Sequence, residues 1–484
     1  MNNNNKIHEL AISVTKNDNF SDWYIQMITK GKFIEYTDIS GCYVLLPNSY
    51  GIWESIQFYI NKHLTKMNVK NSYFPLFITE KNLTKEKNHI EGFTPEVAWV
   101  THAGNSKLEE KIAVRPTSEC AMYPIFANMI KSHNDLPLKL NQWCNVVRWE
   151  FKDCTPFLRS REFLWSETHT CFATQAEAMK EVLESIDVYE KTYKDLLAIP
   201  VVKGVKTENE KFAGALCTYT VEAFIPATGK GIQAATSHCL GQNFSKMFDI
   251  TYDDKKDGKY VWQNSWGFTT RSIGIMLMNH GDDKGAILPP FVAPIQIVIV
   301  PIPIKIRAEE VTNKSTELFV MLKTKYRVEL DLTNYNPGYK FNKWEMQGVP
   351  LRIEIGPRDC DNNTITLCKR NDFTKTVVTN DTQIFDVIDL LLQKIHDELY
   401  NKAEQNLLTS IHTVHNKYEF GMELENKHLC YINWCGTDTC ETNIKEIYKA
   451  KALCIPDNYN DLSGDHCCIC DEVKVASVLF GRSY

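Results

Sequence analysis

The chain has 484 residues, 43% hydrophobic and 24% charged, which suits a globular protein with sizeable cores and room for two to four domains. Its net charge of −6 excludes a global basic field, so any nucleic acid must be met by local patches. No run of 18 apolar residues is present, and the polar start MNNNNKIHEL lacks the apolar stretch of a signal peptide; the expectation is a cytoplasmic, reducing setting without a membrane.

Residues 1–20 are Asn-rich and expected to be frayed. Residues 21–290 form the first expected domain. In GIWESIQFYINKHLTKM (51–67), Trp53, Ile56, Ile60 and Leu64 recur at helical spacing. KIAVRPTSECAMYP (111–124) reads as a strand ending at Arg115-Pro116 and then a helix, with Thr117 and Glu119 near its free N–H groups. Thr117 or Ser118 serves equally well there as a plain N-cap.

The stretch NVVRWEFKDCTPFLRSREFLWSETHT (145–170) interleaves charge with large apolar side chains. Side chains two apart share one face of a strand. Arg148 and Glu150 would share one side of a first strand, and Arg161, Phe163, Trp165, Glu167 and His169 one side of a second, joined through the turn-forming KDCTP. Two readings stand: an ion-pair ladder on an exposed sheet, or a charged and aromatic ligand site. AEAMKEVLESIDVYEKTYKDLL (176–197) is a second clear helix. GKGIQAATSHCLGQNFSKMFDI (229–250) sets small residues around Gln233, Thr236, Ser237 and His238, where a ligand can approach the backbone; a lone histidine is more often a satisfied core residue. In WQNSWGFTTRSIG, the Gly267–Thr269–Thr270 turn puts Arg271 at a helix start, an arrangement that can hold phosphate.

Pro289, Pro290 and Pro294 mark a boundary. From 291 to 400 the order is strand (295–303), helix (308–325), strands YRVELDL and VPLRIEIG, and a helix over about 383–400, a βαβ pattern. Residues 401–484 end in a cysteine-rich tail with Cys435, Cys440, Cys454, Cys467, Cys468 and Cys470. Sixteen cysteines in a reducing setting suggest metal where they cluster and packing where they scatter.

Together these segments resemble class II aminoacyl-tRNA synthetases. The Arg-x-Glu strand, loop and second strand resemble motif 2; GFTTR resembles motif 3; GCYVLLPNSYGIWESIQFYI resembles motif 1, the dimer helix. RPTSE (115–119), GIQAATSH, PGYKFNKWEMQGVPLRIEIGPRD (337–359) and the terminal LFGRSY narrow the resemblance to prolyl-tRNA synthetases of the eukaryotic and archaeal type, from about residue 20 to Tyr484. Cys120 stands where the family usually has Thr, and Ala234 and Ala235 where it has more glycine. The interval from Thr170 to Trp262 is too short for the editing insertion of bacterial-type relatives.

The resemblance implies an α/β chain: an α+β catalytic domain with an antiparallel sheet and flanking helices (21–290), an α/β anticodon-binding domain (291–400) and a small zinc-binding-like domain (401–484). It implies ATP-dependent activation of L-proline to prolyl-adenylate and transfer to the 3′ end of tRNA(Pro), by a homodimer. The implied catalytic residues are Arg148 and Arg271. Proline would meet Thr117, Glu119, Arg148, Trp165, His169, Phe212 and His238. ATP would meet Arg148, Glu150, Arg159, Ser160, Gln233, Thr236, Thr269 and Arg271, with Mg²⁺ near Gln233. Glu345, Arg352 and Lys369 would read the anticodon. Cys435, Cys440, Cys468 and Cys470 would bind structural Zn²⁺, with Cys467 an alternative to Cys468 and an unloaded thiol cluster the competing state. Competing functional readings are another class II synthetase, such as threonyl or glycyl, or a catalytically silent tRNA-binding paralogue. Retention of Arg148, Arg159 and Arg271 argues against the silent form.

Overall fold

Side chains that alternate between core and cavity along five long strands set the architecture. In the computed structural model, which describes residues 11–89, 96–149, 153–253, 258–381 and 383–484, the strands Cys217–Ile225, Lys230–Gly241, Trp262–Thr269, Glu162–Phe172 and Leu138–Val147 lie side by side in that order. Every pairing among them is antiparallel, with Thr236 opposite Gly267, His169 opposite Ser265 and Val147 opposite Glu162. The helix Gln175–Lys191, opened by a Thr174–Glu177 capping box, packs against this sheet through Ile186 and Tyr189. The helix Pro47–Lys66 starts four residues before the expected 51, because Pro47 fits a first turn where no amide donor is needed. Its expected stripe of Trp53, Ile56, Ile60 and Leu64 is buried in the same core.

The second domain has the expected βαβ texture. Ile297–Pro301 runs parallel to both Val328–Leu330 and Leu351–Ile355, and Leu351–Ile355 pairs antiparallel with Thr364–Lys369. Its closing helix, expected to stop near 400, runs from Ile384 to Ser410. The apolar stripe simply continues past Leu399 to Ala403 and Leu407, and Leu407 packs with Leu429, Tyr431 and Leu479 of the tail. One helix therefore crosses the expected boundary.

The tail is joined to the first domain as well. Lys451–Pro456 pairs antiparallel with Val202–Val205, which extends the large sheet through Ala476–Ser483 and Leu429–Trp434 to Ile411–Thr413, eleven strands among the described residues. At the seam a Cβ on Gly204 would lie 2.2 Å from the Ile455 carbonyl oxygen, so only glycine lets the two backbones meet.

The frayed start expected for 1–20 is corrected for 11–19. Ile12 and Val14 pack on the main core, and Lys16 Nζ donates to the carbonyls of Asn279 (3.2 Å) and Gly281 (2.8 Å). Residues 1–10 lie outside the described part. Among the described residues no helix is long and apolar enough to cross a membrane.

His280 closes the helix Arg271–His280, buried, and shares a hydrogen bond of 3.0 Å between Nε2 and the Leu197 carbonyl. Burial pushes its pKa down to about 3. The unfolded chain takes up a proton here below about pH 6.5 and the folded chain does not, so this contribution to stability is complete above pH 6.5 and is lost as pH falls toward 3. Thermal melts should show stability declining from pH 6.5 to 5, by up to about 1.4 kcal/mol per pH unit from this group. His280→Asn should flatten that slope; an identical slope would exclude the group as a source.

Candidate active site

The sheet and the helix Arg271–His280 enclose a cavity of about 320 Å³. Arg148 follows directly after the strand Leu138–Val147, and its amide continues the ladder by donating to the Arg161 carbonyl at 2.8 Å. Its guanidinium lies 5.5 and 5.6 Å from the ring centres of Phe163 and Trp165, and Nε donates to the Pro116 carbonyl at 3.1 Å. Arg271 enters from the opposite element. Its Nε and Nη2 donate to the Leu158 carbonyl (3.3 and 3.2 Å) and Nη1 to that of Gln233 (3.1 Å). Burial lowers the Arg271 pKa, and the charges of Arg148 and Arg159 lower it further. Arg159 is the exposed residue of a tight, otherwise largely buried loop closed by reciprocal backbone bonds with Thr155, and its charge also reaches Lys230. Among the described residues, none of these three arginines makes an ion pair with a carboxylate.

The other end of the cavity is acidic and buried. Thr117 Oγ1 donates to Glu119 and, at 3.3 Å, to Glu167. Glu167 also accepts from the Ser118 amide at 3.0 Å and from Gln142 Nε2 at 3.3 Å, and its Oε1 lies 2.9 Å from His169 Nε2. The Tyr123 hydroxyl holds His169 Nδ1 at 2.7 Å. Burial pushes Glu119 up, and the nearby Glu167 charge adds to that. Burial opposes ionisation of both Glu167 and His169, but their shared hydrogen bond and mutual attraction win: Glu167 lies below and His169 above its ordinary value. His238 differs. Burial, with the His169 charge, lowers it to about 3, so its neutral ring bridges Thr218 Oγ1 (2.9 Å) and Thr236 Oγ1 (3.0 Å), with Phe212 packed over it at 4.8 Å.

Of the residues proposed from sequence, Thr117, Glu119, Arg148, Ser160, Trp165, His169, Phe212, Gln233, Thr236, His238, Thr269 and Arg271 line this one cavity. Arg159 lies at its edge, outside the lining, and Glu150 falls outside the described residues. The expected face of the second strand is corrected at one position. Phe163, Trp165, Glu167 and His169 line the cavity, whereas Arg161 reaches the Ser40 carbonyl (3.2 Å) and the Trp149 ring (4.7 Å). It precedes the strand proper, Glu162–Phe172, so the two-residue alternation does not govern it. Two acidic lining residues went without a role in the sequence reading. Glu167 was visible through its spacing from Trp165 and His169; Glu210, in an irregular loop, had no such signal.

Glu345, Arg352 and Lys369 border one small hollow in the second domain. All three are buried and already paired: Arg352 with Glu345 (2.7 Å) and Glu354 (3.0 Å), Lys369 with Asp372 (2.8 Å) and Glu398 (2.7 Å).

In the tail the sulfurs of Cys435, Cys440, Cys467 and Cys470 lie within 4.8 Å of one another, which corrects the expected set: Cys467, not Cys468, belongs to it. Cys467 and Cys470 close a turn through the Asp471 amide and the Cys467 carbonyl (3.2 Å), while the next residue, Cys468, packs at the edge of the domain core. The C-x2-C spacing within CCIC was the available signal. Cys435–Cys470 and Cys440–Cys467 sulfur separations are 3.5 and 3.9 Å. A tetrahedral zinc with bonds of about 2.3 Å needs about 3.8 Å, so the cluster fits that ion.

An antiparallel sheet carrying this cavity, followed by a βαβ-type second domain, defines a class II aminoacyl-tRNA synthetase. Residues 99–280 match the class II tRNA synthetase core domain (G, H, P, S and T), 296–393 the anticodon binding domain, and 418–484 the prolyl-tRNA synthetase C-terminal domain. The chain is 49% identical to the cytoplasmic proline–tRNA ligase of Arabidopsis thaliana, over 98% of this chain and 91% of that one. It is 43% identical to the proline–tRNA ligase of Encephalitozoon cuniculi, over 98% and 99%. A crystal structure of prolyl-tRNA synthetase from Cryptosporidium parvum, complexed with halofuginone and AMPPNP, is 47% identical with a TM-score of 0.94, covering 98% of this chain and 100% of that one. The chain belongs to the prolyl-tRNA synthetase family: it is a proline–tRNA ligase.

Removing Arg352 would strand Glu345 as a buried charge and leave Glu354 with Lys375 alone (2.7 Å). Arg352→Ala should destabilise the second domain by roughly 3–5 kcal/mol. Arg352→Lys, which keeps the charge, should be milder. Denaturant melts that match wild type in Arg352→Ala would show that the pair is not needed for the fold.

Proposed function

We propose that the cavity's two ends divide the first half-reaction between them. The carrying observation is three arginines that, among the described residues, have no carboxylate partner at one end, and the Glu119–Glu167–His169 cluster at the other. A triphosphate suits the first end. A secondary ammonium suits the second, where Glu119 and Thr117 supply acceptors and Glu167 adds negative charge. Trp165, Phe212 and neutral His238 give the apolar ring its walls, and His238, uncharged, does not repel the ammonium.

A proline carboxylate oxygen attacks the α-phosphorus of ATP. A new P–O bond forms, the bond to pyrophosphate breaks, and prolyl-adenylate remains. Two anions must approach, so positioning and fixed positive charge carry the rate. Arg148, between the two ends, contacts both the proline carboxylate and the α-phosphate through its planar fork. Arg159 and Arg271 hold the outer phosphates, with Glu150, Ser160, Thr236 and Thr269 as further ATP contacts. In the second step the terminal ribose oxygen of tRNA attacks the adenylate carbonyl and AMP leaves.

Class II synthetases use ATP with Mg²⁺. The wall offers a hard oxygen donor in the Gln233 side chain, whose backbone carbonyl is tied to Arg271. Mg²⁺ bound chiefly to the phosphates would be held there and neutralise them. Zn²⁺ at Cys435, Cys440, Cys467 and Cys470 would brace the tail. The hollow bordered by Glu345, Arg352 and Lys369 would read anticodon bases of tRNA(Pro). The exposed Tyr50 and Phe58 of the helix Pro47–Lys66 support its role in a homodimer. A cytoplasmic location follows the Arabidopsis relative.

Arg148→Ala should lower proline-dependent ATP–pyrophosphate exchange by about 100-fold or more, the scale of losing one fixed transition-state donor. Its melting curve should stay near wild type, because among the described residues its side chain donates only to a carbonyl, that of Pro116. Wild-type exchange would sink the assignment. Separately, elemental analysis of unchelated protein should find about one zinc per chain in wild type and Cys468→Ser, and none in Cys467→Ser, if the site is a four-thiolate one. Equal zinc in both variants would restore Cys468 as a candidate ligand.

A further inference from the structure

The loop between Val202–Val205 and Cys217–Ile225 brings Glu210 and Phe212 to the cavity. It is irregular: the amides of Glu210 (3.2 Å) and Lys211 (2.9 Å) both fold back on the Thr207 carbonyl, and its ends are tied by the Lys206 amide to the Thr218 carbonyl (2.9 Å) and the Ala215 amide to that of Phe212 (3.0 Å). Phe212 is tied by its amide to Thr218 Oγ1 at 3.0 Å, and Thr218 in turn holds His238. What fixes the other side of this loop comes from the tail, more than 230 residues away in sequence.

Glu441 is the centre of that contact. It lies on the helix Asp438–Tyr448, directly after Cys440, and is 5% exposed. One carboxylate oxygen accepts from Thr207 Oγ1 at 3.3 Å and the other from Asn209 Nδ2 at 3.1 Å. Two lysines flank the pair. Lys206 Nζ donates to the Leu453 carbonyl at 2.8 Å while ion-paired to Glu222 at 2.7 Å. Lys451 of the tail pairs with Glu210 at 3.2 Å. Residues 206, 207, 209 and 210 are thus all held by the tail, and Phe212 follows two residues later.

We infer that Glu441 is a positioning residue for the amino-acid end of the cavity, fixing the 206–212 loop so that Phe212 packs over His238. The inference rests on the reading of that end as the proline site. A buried carboxylate whose two oxygens each take one donor from the same loop fixes that loop's position and its rotation. Truncating it removes both hydrogen bonds and leaves Thr207 and Asn209 without their acceptors. The arginine end lies on other elements and is untouched. The effect should therefore fall on proline and not on ATP.

The test is ATP–pyrophosphate exchange by the full chain, with proline and ATP varied separately. Glu441→Ala should raise the KM for proline about tenfold, the scale of losing hydrogen bonds to a charged group. The KM for ATP and kcat should stay within about twofold of wild type, since only ground-state placement of proline is lost. Asn209→Ala should act in the same direction. The double variant should cost less than the product of the two single effects, because the groups share one interaction. Glu441→Gln keeps an acceptor and should recover part of the loss. An unchanged KM for proline in a folded Glu441→Ala protein overturns the inference, as does a parallel rise of both KM values, which marks general loosening. If the wild-type chain shows no proline-dependent exchange, the reading of the cavity fails and takes this inference with it.

Discussion

Guanidinium groups repel one another, and a fold that gathers them normally neutralises them with carboxylates. Here Arg148 and Arg271 are held by backbone carbonyls of Pro116, Leu158 and Gln233. A carbonyl fixes the plane of the guanidinium but brings no net charge. The cavity wall thus keeps its positive field in a partly desolvated place, where charge interactions are stronger than in water. Burial and mutual repulsion already depress Arg271. A polyanion would relieve both penalties at once, which is the physical ground for the proposed triphosphate end.

The opposite end uses the opposite device. Glu167 takes donors from Ser118, Gln142 and His169 and is held below its ordinary value, whereas the equally buried Glu119, with the Glu167 charge beside it, is pushed toward its neutral form. Two adjacent carboxyls with separated tendencies would let the proposed ammonium site meet a cation without carrying two full unpaired charges beforehand. Both ends are set by one antiparallel register, since Trp165, Glu167 and His169 alternate along one strand and face Thr269, Gly267 and Ser265 on the next.

The continuous sheet gives the tail a second role beside its own cysteine core. Because Lys451–Pro456 pairs with Val202–Val205, the start of the cavity loop is a backbone partner of the tail. Gly204 permits that contact, and Lys206, Thr207 and Asn209 extend it with side chains. The second domain is anchored differently, by Arg370 on Asp282 at 2.6 Å at the end of the catalytic core and by the long helix that runs on into the tail.

Local chemistry was legible in the sequence. Period-two spacing placed Phe163, Trp165, Glu167 and His169 together; the helical stripe of Trp53, Ile56, Ile60 and Leu64 placed their helix; Arg271 opens a helix as expected, although Gly267 and Thr269 lie in the strand before it and not in a turn. These depend on neighbours within a few residues, where backbone periodicity alone fixes direction. Other features were decided only by contacts distant in sequence. The choice of Cys467 over Cys468 turned on which sulfur a tight turn aims at Cys440, and spacing allowed both. The order carried by residues 11–19, the helix crossing residue 400, and the bond from Glu441 to the cavity loop each join segments that local patterning cannot relate, because a side chain's partner across a fold is set by packing and not by period.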